Sequence, residues 1–313
     1  MGNVGGNRNY GYGKQLAWAG KNALADRYGQ GHFSTRATHE ERWNQFVHFL
    51  KGEGINDARK ITPTVLNKHN QLLKELVSKG EMSVAYAQNR LSTVNVILET
   101  MRKDTVLTIK PAQIIGQRSH VRSTIPATFK TDVLKAITVK HGQNRTMLIA
   151  KLTRDLGLRF KEASLLDTRK ALRQARQHGR INITQGTKGG RGKGSDRWIP
   201  VSNQCLQTLK SATLIQGKEQ NLIPPNSSYK QWRVHRYNQW RAMTNQITIN
   251  GFHDMRVAYA CERYQAITGY PAPVTTGKRQ ADKALDKKAR TLLAQELGHN
   301  RTDVVAAYIG SSQ

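Results

Sequence analysis

The chain is poor in acidic residues and in cysteine, and it has no long apolar run. Its 313 residues include 21 Asp and Glu against 50 Lys and Arg, so the formal net charge is +29. The two cysteines, Cys205 and Cys261, lie far apart, which excludes a disulfide framework and predicts buried, reduced thiols. No stretch has the length of a membrane span, and the first residues lack the apolar core of a signal peptide. We therefore expect a cytoplasmic protein with no membrane partner.

The abundant feature is positive charge, which is informative about binding partners rather than fold. Nucleic acid is the predicted partner, because each phosphate that a cation neutralises releases counterions and adds affinity. A ribosomal or chromatin-like packing protein is the simplest alternative that charge alone allows. The length suits two domains, and a hydrophobic fraction of 37% suffices for cores built from amphipathic helices.

Changes in composition along the chain predict four segments. Residues 1–32, rich in Gly, Asn and Tyr, are expected to form a basic arm that either grips DNA or is an unstructured terminus, with a short stretch from Lys14 to Tyr28 that could form a helix. Residues 33–104 carry apolar side chains at helical spacing and predict a helical domain. Residues 105–126 contain two prolines and no periodicity, so they predict a linker. Residues 127–313 form the predicted second domain.

Capping signals place three helices in the first of these domains. Thr38 with Glu41 makes a capping box ahead of the first apolar stripe, which begins at Trp43. Pro63 after a threonine predicts the start of a second helix, and Ser83 the start of a third. No chemistry is assigned to this bundle, because its aromatic residues are at core positions.

The second domain mixes helices with a small hairpin. A helix is expected to end near Gly157, and residues 180–184 and 197–201 alternate as strands around a glycine-rich tip. The stretch from Arg169 to Arg197 contains nine Lys and Arg but one acid, which is typical of a surface that faces phosphate. The predicted fold class is therefore mainly α with a small β-sheet.

The second domain also carries the groups that phosphodiester cleavage by a protein nucleophile requires. The reaction needs a nucleophile in line, cations on the phosphate oxygens, an acid for the leaving oxygen and an acceptor for the nucleophile's proton. Arg159 and Arg256 are predicted to clamp the phosphate, because a guanidinium stays charged and pairs with two oxygens at once. Tyr308 is the predicted nucleophile.

Four further side chains complete this predicted site. Lys188, at the hairpin tip, would protonate the departing 5′ oxygen, and His253 would assist proton transfer from one helical turn before Arg256. His299 would donate a hydrogen bond to the phosphate, and Glu162 would orient Arg159 or His253. No carboxylate cluster with metal spacing accompanies them, so the predicted reaction needs no metal or other cofactor.

Five elements in this order resemble the tyrosine recombinase (phage integrase) family. They are Gly-Leu-Arg159-Phe-Lys-Glu162, Gly-Thr-Lys188-Gly-Gly-Arg, His253-Asp-Met-Arg256, Leu-Gly-His299 and Tyr308. The resemblance covers about residues 130–310, and the helices of 34–104 are similar, less specifically, to the family's core-binding domain.

The resemblance implies a C-shaped clamp on double-stranded DNA at inverted-repeat core sites. Four subunits would cut and rejoin strands through a 3′-phosphotyrosine link and a Holliday junction, without ATP. The expected role is integration and excision of a phage or mobile element in a bacterial cytoplasm, near the nucleoid, with accessory DNA-bending or directionality factors. A chromosome-dimer-resolving recombinase, a type IB topoisomerase and a DNA-binding protein with a relic site are the alternatives.

Several assignments stay open at this point. Lys193 competes with Lys188, since residues 192–196 lengthen the hairpin loop. The stretch 270–290 is longer than the family's usual link, and it is either a solvated segment or an added DNA or subunit contact. Arg154 is a weaker candidate for the clamp. Three other tyrosines are weaker candidates for the nucleophile (Tyr259, Tyr264 and Tyr270). Five cations are predicted to contact DNA: Lys193, Arg191, Arg197, Arg90 and Arg122.

Overall fold

The computed structural model describes residues 7–126, 131–187, 196–245, 251–299 and 301–313. The chain divides into two compact units, Met1–Ser119 and His120–Gln313. In the described ranges nearly all regular structure is helical, apart from one two-stranded sheet, so the predicted fold class is confirmed. Among these residues, no helix combines the length and the apolar character needed to cross a bilayer.

The first unit is built from helices whose starts follow the capping residues. Thr62 accepts a hydrogen bond from the Val65 amide at 3.4 Å, and Ser83 accepts one from the Tyr86 amide at 3.2 Å. The predicted starts of the second and third helices are thereby confirmed. The α-helices of this unit are α1 (Leu16–Tyr28), α2 (Phe33–Gly52), α3 (Pro63–Ser78), α4 (Val84–Arg102) and α5 (Pro111–Ile115), with short 3₁₀ turns at Arg8–Gly11 and Ala58–Lys60.

One capping prediction is wrong. Helix α2 already begins at Phe33, so Thr38 lies inside it and its hydroxyl donates to the Ser34 carbonyl at 2.8 Å. A threonine within a helix can bond the carbonyl four residues back, which leaves its hydroxyl unavailable as a cap.

The segment predicted as a separate arm packs into the first unit over its described part. Tyr10 and Leu24 are buried in the same core as Trp43, whose indole donates to the Leu16 carbonyl at 2.8 Å. The Asn9 amide donates to Asp57 at 3.0 Å. Helix α1 agrees with the helix expected between Lys14 and Tyr28. Residues 8–13 differ from the expected arm, because these apolar and hydrogen-bonded contacts outweigh a composition that is typical of disorder.

The predicted linker also contains folded structure. Ile109 and Ile115 are buried in the core of the first unit, and Asn95 exchanges hydrogen bonds with the backbone of Ile109 at 2.7 and 2.9 Å. The first half of segment 105–126 is thus part of the first unit, where buried apolar side chains hold it. The folded stretch is too short for its apolar residues to show a helical or strand period in the sequence.

The second unit contains ten α-helices and one hairpin in its described ranges. Its strands pair antiparallel with Ile181 opposite Ile199, and both isoleucines are buried. The strands are β1 (Arg180–Asn182) and β2 (Trp198–Pro200). The helices are α6 (Thr131–His141), α7 (Arg145–Leu156), α8 (Phe160–Leu165), α9 (Thr168–His178), α10 (Asn203–Gln216), α11 (Tyr229–Thr244), α12 (Phe252–Thr268), α13 (Pro273–Thr276), α14 (Lys283–Glu296) and α15 (Ala306–Ile309).

Helices α7 and α12 pack together at the centre of this unit. Met147 and Met255, one from each helix, are fully buried, and the unit's core surrounds them. Cys205 and Cys261 are free and buried, as predicted, and burial raises the pKa of the Cys261 thiol to about 12. Because these two central helices are buried along most of their length, their ends are fixed in position, and the candidate site is built at those ends.

Candidate active site

Glu162 is the centre of a buried cluster of charged side chains. Its carboxylate accepts hydrogen bonds from Arg159 at 2.7 Å and from Arg197 at 2.8 Å, and it lies 3.7 Å from the Arg256 guanidinium. Burial by itself would raise the pKa of Glu162, but Arg197, Arg256 and Arg159 together lower it to about 2. The carboxylate is therefore ionised at neutral pH and is shared by three cations.

The turn between α7 and α8 explains how Arg159 and Glu162 meet. Gly157 ends α7 in the left-handed region, with φ 60°, and a side chain there would collide with the Tyr259 ring. The chain then enters α8, where Arg159 occupies the N-cap and its amide donates to Glu162 at 2.7 Å. The Arg159 side chain keeps 25% of its area exposed, so it is open to a ligand.

Arg256 is the most enclosed of the three cations, with 1% of its area exposed. Its guanidinium donates to the carbonyls of Gly157 and Leu297 and, from Nε, to the Tyr308 hydroxyl at 3.3 Å. Burial lowers its pKa to about 10, so it is protonated at neutral pH. Two backbone carbonyls hold this cation in position from α7 and from the end of α14.

The Tyr308 hydroxyl lies between Arg256 and His299. His299 Nε2 is 3.0 Å from the phenol oxygen. Burial, then Arg256 and Arg159, lower the pKa of His299 to about 4, so its ring is neutral at neutral pH. A neutral imidazole has one nitrogen that can accept a proton. The phenol thus has a cation on one side and an uncharged imidazole on the other.

His253 lies in the first turn of α12, and its ring is 5.5 Å from the Tyr308 ring, centroid to centroid. Burial, Arg256 and Arg122 lower the pKa of His253. The next residue, Asp254, accepts a hydrogen bond from Arg122 at 2.5 Å. These contacts place His253 beside the phenol and leave its side chain accessible.

The structure gives two of the predicted DNA contacts partners within the protein. Arg197 is 7% exposed and bonds Glu162 and the Glu296 carbonyl, the latter at 2.8 Å. The Arg122 guanidinium donates to Asp254 at 2.5 Å and to the Thr124 carbonyl at 2.7 Å. Sequence analysis missed these roles, although the position of Arg197 at the start of a strand with an alternating pattern indicates an inward side chain.

Arg90 was also predicted to contact DNA, and it too is buried. It lies in α4 with 9% of its area exposed, and burial lowers its pKa. It therefore does not present an exposed cation to DNA in the first unit. Three predicted residues, Lys188, Arg191 and Lys193, lie outside the described residues, so both candidates for the hairpin lysine stay predictions.

The alternative nucleophiles and the alternative clamp have other partners. Tyr259 donates to Glu296 at 2.8 Å, and Tyr264 donates to Asp286 at 2.8 Å. Tyr270 is 45% exposed. Arg154 pairs with Glu262. The carboxylates that bind Tyr259, Tyr264 and Arg154 are thus Glu296, Asp286 and Glu262, and not Glu162.

The site combines an excess of fixed positive charge with a phenol oxygen at its edge. Three guanidiniums share one carboxylate, so the site attracts an anion, and the phenol is held where such an anion would bind. Within the described ranges, no three His, Cys, Asp or Glu side chains are grouped as metal ligands.

Comparisons with known proteins are consistent with this arrangement. A family model for integrases matches residues 116–262. No curated protein sequence matches the chain.

Three solved structures share the fold. A lambda integrase dimer bound to a COC′ core site has 16% identity and a TM-score of 0.56, covering 91% of this chain and 94% of that one. XerH recombinase bound to palindromic difH has 17% identity and a TM-score of 0.61, covering 94% and 79%. The Tn1549 transposon integrase with circular intermediate DNA has 12% identity and a TM-score of 0.56, covering 96% of each chain.

Proposed function

We propose that the chain is a site-specific DNA recombinase of the tyrosine recombinase family that integrates and excises a mobile element; the integrase match over residues 116–262 and the shared fold support this. One observation carries the proposal. The Tyr308 hydroxyl lies 3.3 Å from Arg256 Nε, in the cluster where Arg159 and Arg256 share Glu162. A phenol beside two guanidiniums of the same subunit is suited to attack a phosphate that those cations hold.

The proposed reaction begins with the scissile phosphate between Arg159 and Arg256. The Tyr308 oxygen attacks phosphorus and loses its proton, and the bond from phosphorus to the 5′ oxygen breaks. The 5′ oxygen takes a proton from the hairpin lysine, Lys188 or Lys193. The product is a 3′-phosphotyrosine link and a free 5′ hydroxyl, which attacks the link of another strand in the reverse reaction.

The remaining side chains have supporting roles in this proposal. Glu162 and Arg197 position the clamp, since removing either would leave Arg159 without its present orientation. His299 accepts the phenol's proton or holds the phosphate, and His253 assists proton transfer from the other side of the Tyr308 ring. The reaction as proposed conserves the energy of the phosphodiester and consumes neither ATP nor a metal ion.

We further propose that the chain binds double-stranded DNA and that four subunits assemble on paired inverted-repeat sites. Strand exchange would then pass through a Holliday junction. The solved relatives support DNA as the partner, since each of the three is described as a complex with DNA. Accessory DNA-bending or directionality factors belong to the same proposal.

A nicked suicide substrate tests the chemistry. Purified chain is mixed with a pool of nicked duplexes of random sequence, and protein–DNA adducts that survive detergent are isolated and their DNA sequenced. The wild type and Tyr270→Phe, which removes an exposed phenol, should form the adduct, and Tyr308→Phe should not. An adduct that persists in Tyr308→Phe contradicts the proposal.

The sequenced DNA then separates recombinase from the other candidate functions. Paired copies of the selected site should yield recombinant products. Relaxation of plasmids that lack the site would indicate a topoisomerase. Binding to DNA without any adduct would indicate a relic site.

A further inference from the structure

The segment that follows Tyr308 is held along its backbone by a part of the chain that the proposed reaction does not use. Arg290, in α14, donates to the carbonyls of Gly310 and Ser311 at 3.2 and 2.7 Å. Arg279 donates from Nε to the Ser312 carbonyl at 2.9 Å. We propose that residues 273–290 form a seat for the nucleophile's segment, and that Arg290 is a positioning residue for Tyr308. The proposal rests on the proposed function.

Arg290 is itself fixed before it reaches the segment. It is 6% exposed, and its Nε donates to Asp286 at 2.8 Å one helical turn earlier. Asp286 also accepts from the buried Tyr264 hydroxyl at 2.8 Å. A guanidinium held in this way presents its remaining N–H groups in a fixed plane, so the carbonyls that they bind are fixed as well.

Close backbone packing adds to these hydrogen bonds. Gly310 has φ +90°, and a Cβ atom at this position would lie 2.7 Å from the Val274 amide nitrogen. Only glycine allows this approach between the segment after α15 and the start of α13. At Gly310, two residues beyond the nucleophile, the seat therefore contacts the chain through backbone packing as well as through the Arg290 side chain.

The other end of α15 is held separately. The Ala306 carbonyl accepts from the Arg122 amide at 2.9 Å, and the Tyr308 carbonyl accepts from the Cys261 thiol at 3.8 Å. Helix α15 has only four residues, so it cannot hold its own orientation through helical hydrogen bonds. Its direction, and with it the direction of the phenol, depends on contacts such as those of Arg290.

Stretch 270–290 gains a third interpretation from these contacts. It was expected to be a solvated segment or an added contact to DNA or to another subunit. Within it, the buried Arg290 donates to the same chain's own backbone after the nucleophile, and the buried Asp286 accepts a hydrogen bond from Arg290. The seat favours attack by Tyr308 within the subunit that supplies Arg159 and Arg256.

The test uses the full chain and the nicked duplex selected above. Arg290→Ala and Arg279→Ala are compared with Lys288→Ala, which removes an exposed cation from the same helix as Arg290. Three quantities are measured: the adduct rate at saturating DNA, the Kd for DNA, and amide hydrogen exchange over residues 306–312. Arg279→Ala is the second variant because it leaves the buried Asp286 pair intact.

Arg290→Ala should lower the adduct rate about 10- to 100-fold, because a displacement of about 1 Å at a reacting group can cost that much. The Kd should change less than about twofold, and exchange over 306–312 should become faster. Arg290→Lys, which keeps the charge and one donor, should recover part of the rate. Gly310→Ala should reproduce the loss with both arginines present.

Equal adduct rates in Arg290→Ala, Arg279→Ala and Lys288→Ala would overturn the proposal. Loss of DNA binding in parallel with the adduct would also overturn it, because that result indicates general unfolding. If the wild type forms no adduct at all, the proposed function fails instead. The seat is then judged by hydrogen exchange alone, and exchange that is unchanged in both variants overturns it.

Discussion

Two buried tyrosines of the second unit, Tyr259 and Tyr308, have the same functional group and opposite surroundings. Tyr259 donates a hydrogen bond to Glu296 at 2.8 Å, and burial and that carboxylate raise its pKa well above the usual value. The Tyr308 oxygen instead accepts from Arg256 and contacts His299 at 3.0 Å. A carboxylate keeps the proton on a phenol, whereas a guanidinium stabilises the oxygen that has lost it. Environment, not residue type, therefore distinguishes a structural tyrosine from a candidate nucleophile.

The carboxylates near the two tyrosines also differ, in the number of guanidiniums that surround them. Glu296 pairs with one guanidinium, that of Arg263, at 2.9 Å. Glu162 is shared by three, so the cluster near Tyr308 has unbalanced positive charge without a ligand. A cluster with balanced charge needs no partner, whereas an excess of buried cations indicates that an anion completes the site.

The largest expected effect on the adduct rate comes from replacing Arg256, the cation that contacts Tyr308. Arg256→Lys should lower the adduct rate about 100- to 1000-fold, because the two backbone carbonyls and the phenol are bonded by three separate nitrogens of the planar guanidinium, and a single ammonium nitrogen cannot lie at all three positions. Arg263→Lys, in the same helix but beside Glu296, should leave the rate within about threefold of the wild type. The rate of adduct formation on the nicked duplex measures both. Similar losses in the two variants would show that charge balance does not distinguish the clusters.

The next effect is on stability and its dependence on pH. Folding lowers the pKa of Glu162 from 4.5 to about 2, so its ionised form stabilises the fold above pH 4.5, and that contribution is lost as the pH falls towards 2. Glu162→Gln should therefore cost about 3 kcal/mol at pH 7 and much less near pH 2. Native-state hydrogen exchange of α12 amides measures the difference.

Glu296→Gln provides the matched comparison for that measurement. Its carboxylate faces a single guanidinium whose side chain is 30% exposed, so the free-energy loss at pH 7 should be smaller. A loss as large as that of Glu162→Gln would contradict the inference that sharing by three cations matters. A pH-independent loss in Glu162→Gln would contradict the lowered pKa.

The smallest effect concerns Tyr259 itself. Tyr259→Phe removes one hydrogen bond to Glu296 while Arg263 still pairs with that carboxylate, so it should cost about 1 kcal/mol of stability. The adduct rate should stay within about threefold of the wild type. Thermal unfolding and the adduct assay check the two statements. A loss of adduct as complete as in Tyr308→Phe would show that the reaction needs both phenols equally, which would contradict the distinction between a structural tyrosine and the nucleophile.

Sequence analysis anticipated the features that depend on local chemistry. The caps at Thr62 and Ser83, the end of α7 at Gly157 and the alternation around Ile181 follow from the preferences of a few neighbouring residues. The meeting of Arg159 with Glu162 is local too, since three residues separate them at a helix start. The association of these with Arg256 and Tyr308 was expected from the order of the motifs and the resemblance that they carry.

What could not be predicted involves contacts between residues distant in sequence. Arg197 and Arg90 look like surface cations in a chain with net charge +29, and only burial shows that they are not. Residues 8–13 have the composition of a flexible arm, yet Tyr10 is buried in the same core as Trp43. Composition describes a segment alone, whereas burial depends on which other segment covers it.

The amino-acid sequence by itself determined the order of the motifs, the charge that attracts a polyanion and the helix ends that present Arg159 and Arg256. Each of these depends on residues within a few positions of one another. The tertiary structure decided which phenol faces a guanidinium, which arginines are buried, and how α14 holds the chain after Tyr308. These depend on distances across the fold, and a pairing energy exists only once packing has brought the partners together and excluded water.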